Sequence, residues 1–273
     1  MRTTLLHDKD LNKALRLADT ADDITLRYYL SANLQIDTKP DTSPVTQADK
    51  ACEQALRQIV EKDFGDAYIG EEGARVTSDN LRSWVVDPID GTKNYLRGMP
   101  VWGTLIALSD GEGLLASIVS APAMGRRWWA VRGKGAFTSD AHGQIRQLHV
   151  SKVGRIEDAF LSYASLFSWD KVPAGSDRVL MLLKTAWRNR AIGDFLNYML
   201  VAEGAIDACF EPDPKQWDLD APALIIQEAG GSIWTDAAAS TPPEAPRIVI
   251  GSNGLLEEAI KAKLGLETSK ILS

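Results

Sequence analysis

Between Trp84 and Val131 the chain reads as a series of extended apolar segments: Trp84-Val85-Val86, Val101 to Leu108, Leu114 to Val119 and Trp128 to Val131. Turns carrying Gly, Pro and Asp separate them, which is the pattern of a largely antiparallel sheet. A sheet of this kind has faces to cover, and the flanking sequence offers helices to cover them. From Asp10 to Leu30, the residues Leu11, Ala14, Leu15, Ala18, Tyr28 and Tyr29 fall on one side of a helix among many charges. A break is expected at Pro40 and Pro44. A second helix starts near Thr46, because Thr46-Gln47-Ala48-Asp49 resembles a capping box and Ala48, Cys52, Ala55 and Ile59 follow at helical spacing. It is expected to end around Phe64-Gly65.

After about Gln147 the pattern changes. Strands are expected at Ala159 to Ser162, Ile206 to Phe210, Ser232 to Trp234 and Ile248 to Ile250. Helices are expected near Arg178 to Trp187, Phe195 to Glu203, Ala221 to Ala229 and Leu255 to Leu264, and Ala237 to Pro246 reads as an exposed loop. The fold class is therefore α+β, or mixed α/β. It is expected to divide into an N-terminal α+β lobe over residues 1–147, with the antiparallel sheet, and a C-terminal α/β lobe over residues 148–273.

Composition narrows the function. With 30 Lys+Arg against 37 Asp+Glu the net charge is -7, which leaves no broad basic surface for nucleic acid or anionic lipid. A small-molecule partner is expected. Cys52 and Cys209 are the two cysteines, far apart and outside any metal-binding pattern, which argues against a disulfide framework or zinc site and fits a reducing cytoplasm. The start of the chain has no apolar signal-like core and no apolar run reaches about 18 residues, so neither export nor membrane insertion is expected. His7, His142 and His149 are scattered and read as surface or packing residues.

The chemistry concentrates in acids. Trp84-Val85-Val86 runs straight into Asp87-Pro88-Ile89-Asp90-Gly91-Thr92, where a strand end presents two carboxylates around a turn-forming Pro-Ile pair. Two carboxylates and the Ile89 carbonyl aimed at one point are the hard oxygen ligands magnesium prefers. Gly91 and Thr92 offer backbone N–H groups to an anion. Gly70-Glu71-Glu72-Gly73 and Trp217-Asp218-Leu219-Asp220 supply further acids at element boundaries. Singly, each has an ordinary reading: a turn for Asp87 to Gly91, a solvated loop for Glu71-Glu72, a helix cap for Asp49 or Asp218. Converging at about 4 Å, any pair would repel by about 4 kcal/mol at an effective dielectric near 20, so a cluster would need cations or protons. Other phosphatase chemistries fit less well. There is no P-loop, the acids are spaced D-x-x-D rather than D-x-D, and four residues instead of five separate Cys52 from Arg57.

Taken together, Lys39, Asp49, Gly70-Glu71-Glu72, Trp84 through Thr92, Trp217-Asp218 and Glu228-Ala229-Gly230-Gly231 resemble the inositol monophosphatase family over almost the whole chain. The resemblance implies a layered αβαβα sandwich of the sugar-phosphatase type, a homodimer, and two to three Mg2+ ions per active site. It implies that Glu71, Asp87 and the Ile89 carbonyl bind one metal, that Asp87, Asp90 and Asp218 bind a second, and that a third lies near Glu71. It further implies that Thr92, linked to Asp49, orients and deprotonates the attacking water, with Glu71 and Asp90 also in the catalytic set, and that the Gly91 and Thr92 amides hold the phosphate. The reaction implied is direct attack of water on phosphorus of a small phosphate monoester.

Substrate choice falls to Arg190-Ala191-Ile192-Gly193-Asp194-Phe195 and Cys209-Phe210-Glu211, which occupy the family positions facing the leaving group, with Asp218 also in contact with substrate. Asp194 and Glu211 put two acids there, favouring a leaving group that carries ammonium or imidazolium, although a polyol could also donate to them. Asp194 also reads as an N-cap for the helix that follows. Gly193-Asp194-Phe195 with Tyr198 to Ala205, and Asp90 to Tyr95 with Pro100-Val101-Trp102, are similar to the bacterial histidinol-phosphate phosphatase branch, which acts late in histidine biosynthesis. The alternatives are a phosphatase for inositol phosphate or another sugar phosphate, and a non-catalytic phosphate-binding regulator.

Overall fold

The computed structural model describes residues 8–32, 34–39, 43–172, 175–236 and 247–266. The expected break at Pro40 and the expected loop from Ala237 to Pro246 lie outside these. The chain divides into two units: one comprises the chain up to Leu148 together with Lys215–Glu228, the other His149–Pro214 together with the chain from Ala229 onward.

The first unit opens with α1 (Lys9–Tyr28), capped by the Asp8 side chain, which accepts from the Asp10 and Leu11 amides. A short antiparallel ribbon, β1 (Ile36–Thr38) and β2 (Pro44–Thr46), leads into α2 (Gln47–Ile59). There the expected capping box is present: Thr46 accepts from the Ala48 and Asp49 amides, and Asp49 accepts from the Thr46 amide. One π turn, Val60–Phe64, ends α2 at Gly65, whose φ of 69° is costly for any residue with a Cβ. Then come β3 (Ala67–Gly70), β4 (Arg75–Val76), β5 (Ser83–Asp90), α3 (Thr92–Leu96), β6 (Gly103–Asp110), β7 (Gly113–Ala121), β8 (Arg126–Val131), β9 (Ala136–Ser139) and β10 (Ile145–Gln147). The sheet has eight strands in the order β10-β9-β8-β7-β6-β5-β3-β4. Only β3 and β5 pair in parallel.

The second unit contains β11 (Phe160–Tyr163), α4 (Leu166–Trp169), α5 (Gly175–Thr185), β12 (Arg188–Arg190), α6 (Asp194–Ala202) and β13 (Ala208–Pro212). The chain then crosses to the first unit for α7 (Gln216–Glu228) and returns for β14 (Ser232–Thr235), β15 (Ile248–Ser252) and α8 (Glu257–Leu264). Its sheet is ordered β12-β11-β13-β15-β14, parallel around β11 and antiparallel around β15. Trp169, Val179, Leu182, Phe210, Ile250, Ile260 and Leu264 belong to its core.

The cross-strand register explains how the first sheet is covered. Val86, Ile106, Ile118, Trp129 and Phe137 are successive partners across β5 to β9, so their side chains share one face. They pack with Leu11, Ala14, Leu17, Ala18 and Ala21 of α1 and with Cys52 and Leu56 of α2. On the pleat's other face stand Val85, Ala107 and Ala130, with Leu105, Val119 and Trp128. α7 covers that face with buried Ala221, Leu224, Ile225 and Ile226; a fully buried Leu or Ile contributes about 1.5–3 kcal/mol. This corrects the sequence reading, which placed Asp218 in a lobe spanning residues 148–273. The apolar rear of the N-terminal sheet needs a cover, and the helix carrying Asp218 supplies it. Both cysteines are buried free thiols. Among the described residues no helix is long and apolar enough to cross a membrane.

Candidate metal centre

Asp87 and Asp90 reach the same place through an irregularity in β5. In a regular strand residues three apart point to opposite faces. Here Asp87 pairs with Leu105 and Asp90 with Gly103, so three steps on β5 match two on β6. The extra residue returns Asp90 to the face of Asp87. Pro88 suits the irregularity because it has no N–H to leave unpaired. Thr104 donates from Oγ1 to the Pro88 carbonyl at 2.8 Å, and the Ile89 amide donates to Asp87 Oδ1 at 2.9 Å. The strand read as Trp84-Val85-Val86 with the acids at its tip therefore runs on to Asp90, so the acids lie within the strand.

Val85 and Asp87 point to the face that α7 covers, which brings Asp218 to them. The helix expected from Ala221 starts at Gln216, so Asp218 lies in its first turn, where the helix dipole favours an acid. Its Oδ2 accepts from the Lys215 amide at 2.7 Å. Pro222, four residues on, cannot donate to the Asp218 carbonyl. Asp87, Asp90 and Asp218 each offer one carboxylate oxygen, and the three lie within 4.8 Å of one another.

Glu71 joins this group electrostatically. Its amide donates to the Val86 carbonyl at 3.1 Å, extending the β3–β5 pairing by one residue and setting Glu71 beside Asp87. Burial pushes Asp87 well above the usual carboxylate range, and the charges of Glu71, Asp90 and Asp218 push it further. Lys39 Nζ stands 2.7 Å from Glu71 Oε1 and 2.8 Å from Glu72 Oε1. Burial pushes Glu72 up to about 7, with the Glu71 charge adding to the rise and Lys39 opposing it.

Asp49 and Thr92 are placed differently from the expected pair. Asp49 Oδ2 accepts from the Thr46 amide at 2.8 Å and from Thr46 Oγ1 at 2.6 Å, as its capping role requires. Thr92 donates from Oγ1 to the Ile89 carbonyl at 3.1 Å, so the direct Thr92–Asp49 link is not made. Asp49 is fully buried, and its Oδ1 has no hydrogen-bond partner. Burial raises its pKa to about 6, with the Glu71 charge contributing in the same direction. Gly91, at φ 83°, turns the chain into α3, whose first residue is Thr92.

The residues expected to choose the substrate lie in the second unit. The Gly193 amide donates to Asn197 Oδ1 at 3.1 Å and the Ile192 amide to Ser162 Oγ at 3.3 Å. The Ser162 hydroxyl stands within reach of two acceptors, Asn197 Oδ1 and the Arg190 carbonyl, and donates its one proton to one of them at a time. This network holds Asp194 at φ 49°, a conformation uncommon outside glycine, and as the first residue of α6 rather than its cap. Glu211, on β13, accepts from the Tyr198 hydroxyl.

Sequence reasoning missed Glu53. It is 4% exposed, and its two oxygens accept from the Glu72 and Ala74 amides at 2.8 Å each. A signal was available: residues 49, 52, 53, 56 and 60 follow the i, i+3, i+4, i+7 rhythm of one helix face, and all are buried.

The chemistry of this donor set is that of a hard divalent cation. Clustered carboxylate oxygens, one on a buried side chain raised by its neighbours, supply the oxygen-only, negatively charged surroundings that magnesium prefers. Such acids, presented from an irregular strand and a helix start, fit the chemistry of a metal-dependent phosphate-ester hydrolase.

The chain belongs to the inositol monophosphatase family, which it matches over residues 7–268, and it is a phosphatase. It is 45% identical over 259 residues, 94% of this chain and 98% of the relative, to a histidinol-phosphatase of Mycobacterium tuberculosis. Among solved structures, the extragenic suppressor protein SuhB of Bartonella henselae superposes with a TM-score of 0.82 at 24% identity, covering 94% of this chain and 98% of that one. An IMPase/NADP phosphatase solved with Mg2+ and phosphate superposes with a TM-score of 0.77 at 22% identity, covering 97% of each chain. The fold is thus that of the inositol monophosphatases.

Proposed function

We propose that this protein hydrolyses L-histidinol phosphate to L-histidinol and inorganic phosphate in a magnesium-dependent reaction of histidine biosynthesis, as a cytoplasmic homodimer. The observation that carries the substrate is the 45% identity to a histidinol-phosphatase, sustained over 94% of the chain. The observation that carries the cofactor is the convergence of Asp87, Asp90 and Asp218.

In this reading Asp87, Asp90 and Asp218 would hold one ion, Glu71, Asp87 and the Ile89 carbonyl would hold another, and Glu71 would also face a third. Magnesium, when bound, supplies positive charge that stabilises the phosphoryl oxygens and the departing alkoxide and lowers the pKa of water. The Gly91 and Thr92 amides, at the turn where Gly91 takes a positive φ, grip the phosphate. Asp49, whose Oδ1 has no hydrogen-bond partner, and Thr92 orient the attacking water. A bond forms from water oxygen to phosphorus and the ester bond to the leaving oxygen breaks; the attacking water gives up one proton and the leaving oxygen gains one, so the leaving group departs as the alcohol with no net change in protons.

Asp194 and Glu211 pair with the cationic groups of histidinol, while Arg190 and Gly193 shape the same loop. A carboxylate facing an ammonium or imidazolium gains an ion pair together with the hydrogen bond, whereas an uncharged polyol offers the hydrogen bond alone. The test is phosphate release with added Mg2+ from histidinol phosphate and from inositol 1-phosphate under matched conditions. Preference for histidinol phosphate supports the proposal; preference for inositol 1-phosphate defeats the substrate; release from neither defeats the activity.

A further inference from the structure

The turn that carries Glu71 is clamped from both sides. Inside it stands Glu53, on α2, with Oε2 accepting from the Glu72 amide and Oε1 from the Ala74 amide, both at 2.8 Å. Two charge-assisted bonds to backbone N–H groups fix a turn more firmly than neutral ones do. The fit is close: a Cβ built on Gly70 would come within 2.1 Å of Glu53 Oε2 and 2.4 Å of its Cδ. Outside it, Arg75 Nη1 donates to the Gly70 carbonyl and, at 2.9 Å, to the Ala74 carbonyl. The Arg75 guanidinium also lies 5.9 Å from the centre of the Trp217 ring, the residue before Asp218. The Gly70 amide closes the turn on the Ala74 carbonyl at 2.9 Å.

This is an unusual place for an acid. The turn already holds Glu71 and Glu72, and a third carboxylate beneath it adds like charge that a plain structural turn would avoid. The arrangement makes sense if the backbone of residues 70–74 must be rigid so that the Glu71 side chain is delivered to Asp87. We propose that Glu53 is a positioning residue for the metal centre: its carboxylate pre-forms the 70–74 turn and thereby sets the affinity of the Glu71 side of the site for Mg2+. This rests on the reading that Glu71 is a metal ligand. Groups that orient ligands from behind commonly change metal affinity by about 10- to 100-fold when removed.

The test is calorimetric titration of Mg2+ into the chelated, full-length protein, for the wild type, Glu53→Gln and Glu53→Asp. Gln keeps the shape but turns an NH2 toward one of the two amides; Asp keeps the charge but is one methylene too short to reach both. The expected result is a Kd for Mg2+ raised about 10- to 100-fold in both variants, with phosphate release recovering when Mg2+ is raised in proportion. A merely structural role would lower Tm and leave the Kd within about twofold of wild type, and that result would overturn the proposal. Absence of Mg2+ binding in the wild type would overturn the metal reading itself, and the proposal with it. Should a variant not fold, amide hydrogen exchange in the chelated wild type decides. Slow exchange at Glu72 and Ala74 is expected of a pre-formed turn, and exchange at unprotected rates contradicts it.

Discussion

Asp87 and Asp90 lie three residues apart on β5 and face the same side of the sheet, because one extra residue separates them relative to their partners Leu105 and Gly103. That local slip makes a ligand cluster from a strand that would otherwise send its two acids in opposite directions. It also builds repulsion into the protein without metal, and the consequences can be measured.

Asp87→Asn removes a negative charge from the buried centre of the cluster. Mg2+-supported phosphate release should fall by about 100-fold or more, exceeding the effect typical of groups behind the ligands. The chelated variant should nevertheless melt above the chelated wild type, because a buried carboxylate crowded by Glu71, Asp90 and Asp218 has been neutralised. For a chain of this size each kcal/mol of relief corresponds to about 2–4 °C in Tm. Thermal melts in chelator, paired with kinetics in Mg2+, check both halves.

The acids next to the cluster give a pH dependence with a definite sign. Folding raises Asp49 from 3.8 to about 6 and Glu72 from 4.5 to about 7, mainly through burial. Between the lower and upper values the folded chain holds more protons than the unfolded chain. Stability of the chelated protein therefore falls as pH rises through about 4 to 7, and the loss is complete above the folded values. Melting in chelator at pH 5.5 and pH 8 should show the higher Tm at the lower pH, and saturating Mg2+ should reduce that difference by favouring the ionised cluster.

Several of these elements could be read in advance, and the reasons others could not are physical. The capping box at Thr46 and Asp49 is a local hydrogen-bond pattern, so it is visible in a few residues. The continuation of β5 to Asp90 is not, because Pro88 between acids reads as a turn until β6 is placed beside it. β9, β10 and β12 are three or four residues long and gain their order from neighbours rather than from an apolar rhythm of their own. The placement of α7 on the N-terminal sheet depends on which apolar face lacks a cover, a property of the folded sheet. The acids themselves were legible only together: singly each reads as a turn, a loop or a cap, and it is their order and spacing along the chain that resembles one family.

Asp66 separates stability from catalysis within the same unit. It is 3% exposed and accepts from Trp84 Nε1 at 2.9 Å and Asn80 Nδ2 at 3.2 Å, with Arg82 Nε at 3.4 Å and Lys13 Nζ at 3.6 Å. Asp66→Ala leaves a buried indole N–H without its acceptor and should cost about 1–3 kcal/mol, read by denaturant unfolding. The Kd for Mg2+ of the folded fraction should stay at the wild-type value.

Asp194→Asn tests the proposed substrate pairing. Losing a charge-assisted bond of about 1.5–3 kcal/mol should lower kcat/KM for histidinol phosphate by about 10- to 100-fold. Hydrolysis of a small phosphate monoester whose leaving group is uncharged should be unchanged. Equal losses on both esters would show that Asp194 shapes the loop without reading the leaving group.

In the proposed metal centre, β5 and the start of α7 supply the carboxylates together. Anomalous scattering from crystals grown with Mn2+ in place of Mg2+ tests it directly. The expected result is density coordinated at once by the carboxylates of Asp87, Asp90 and Asp218, lost in crystals of Asp218→Asn. Manganese bound elsewhere, with these three carboxylates left uncoordinated, would contradict it.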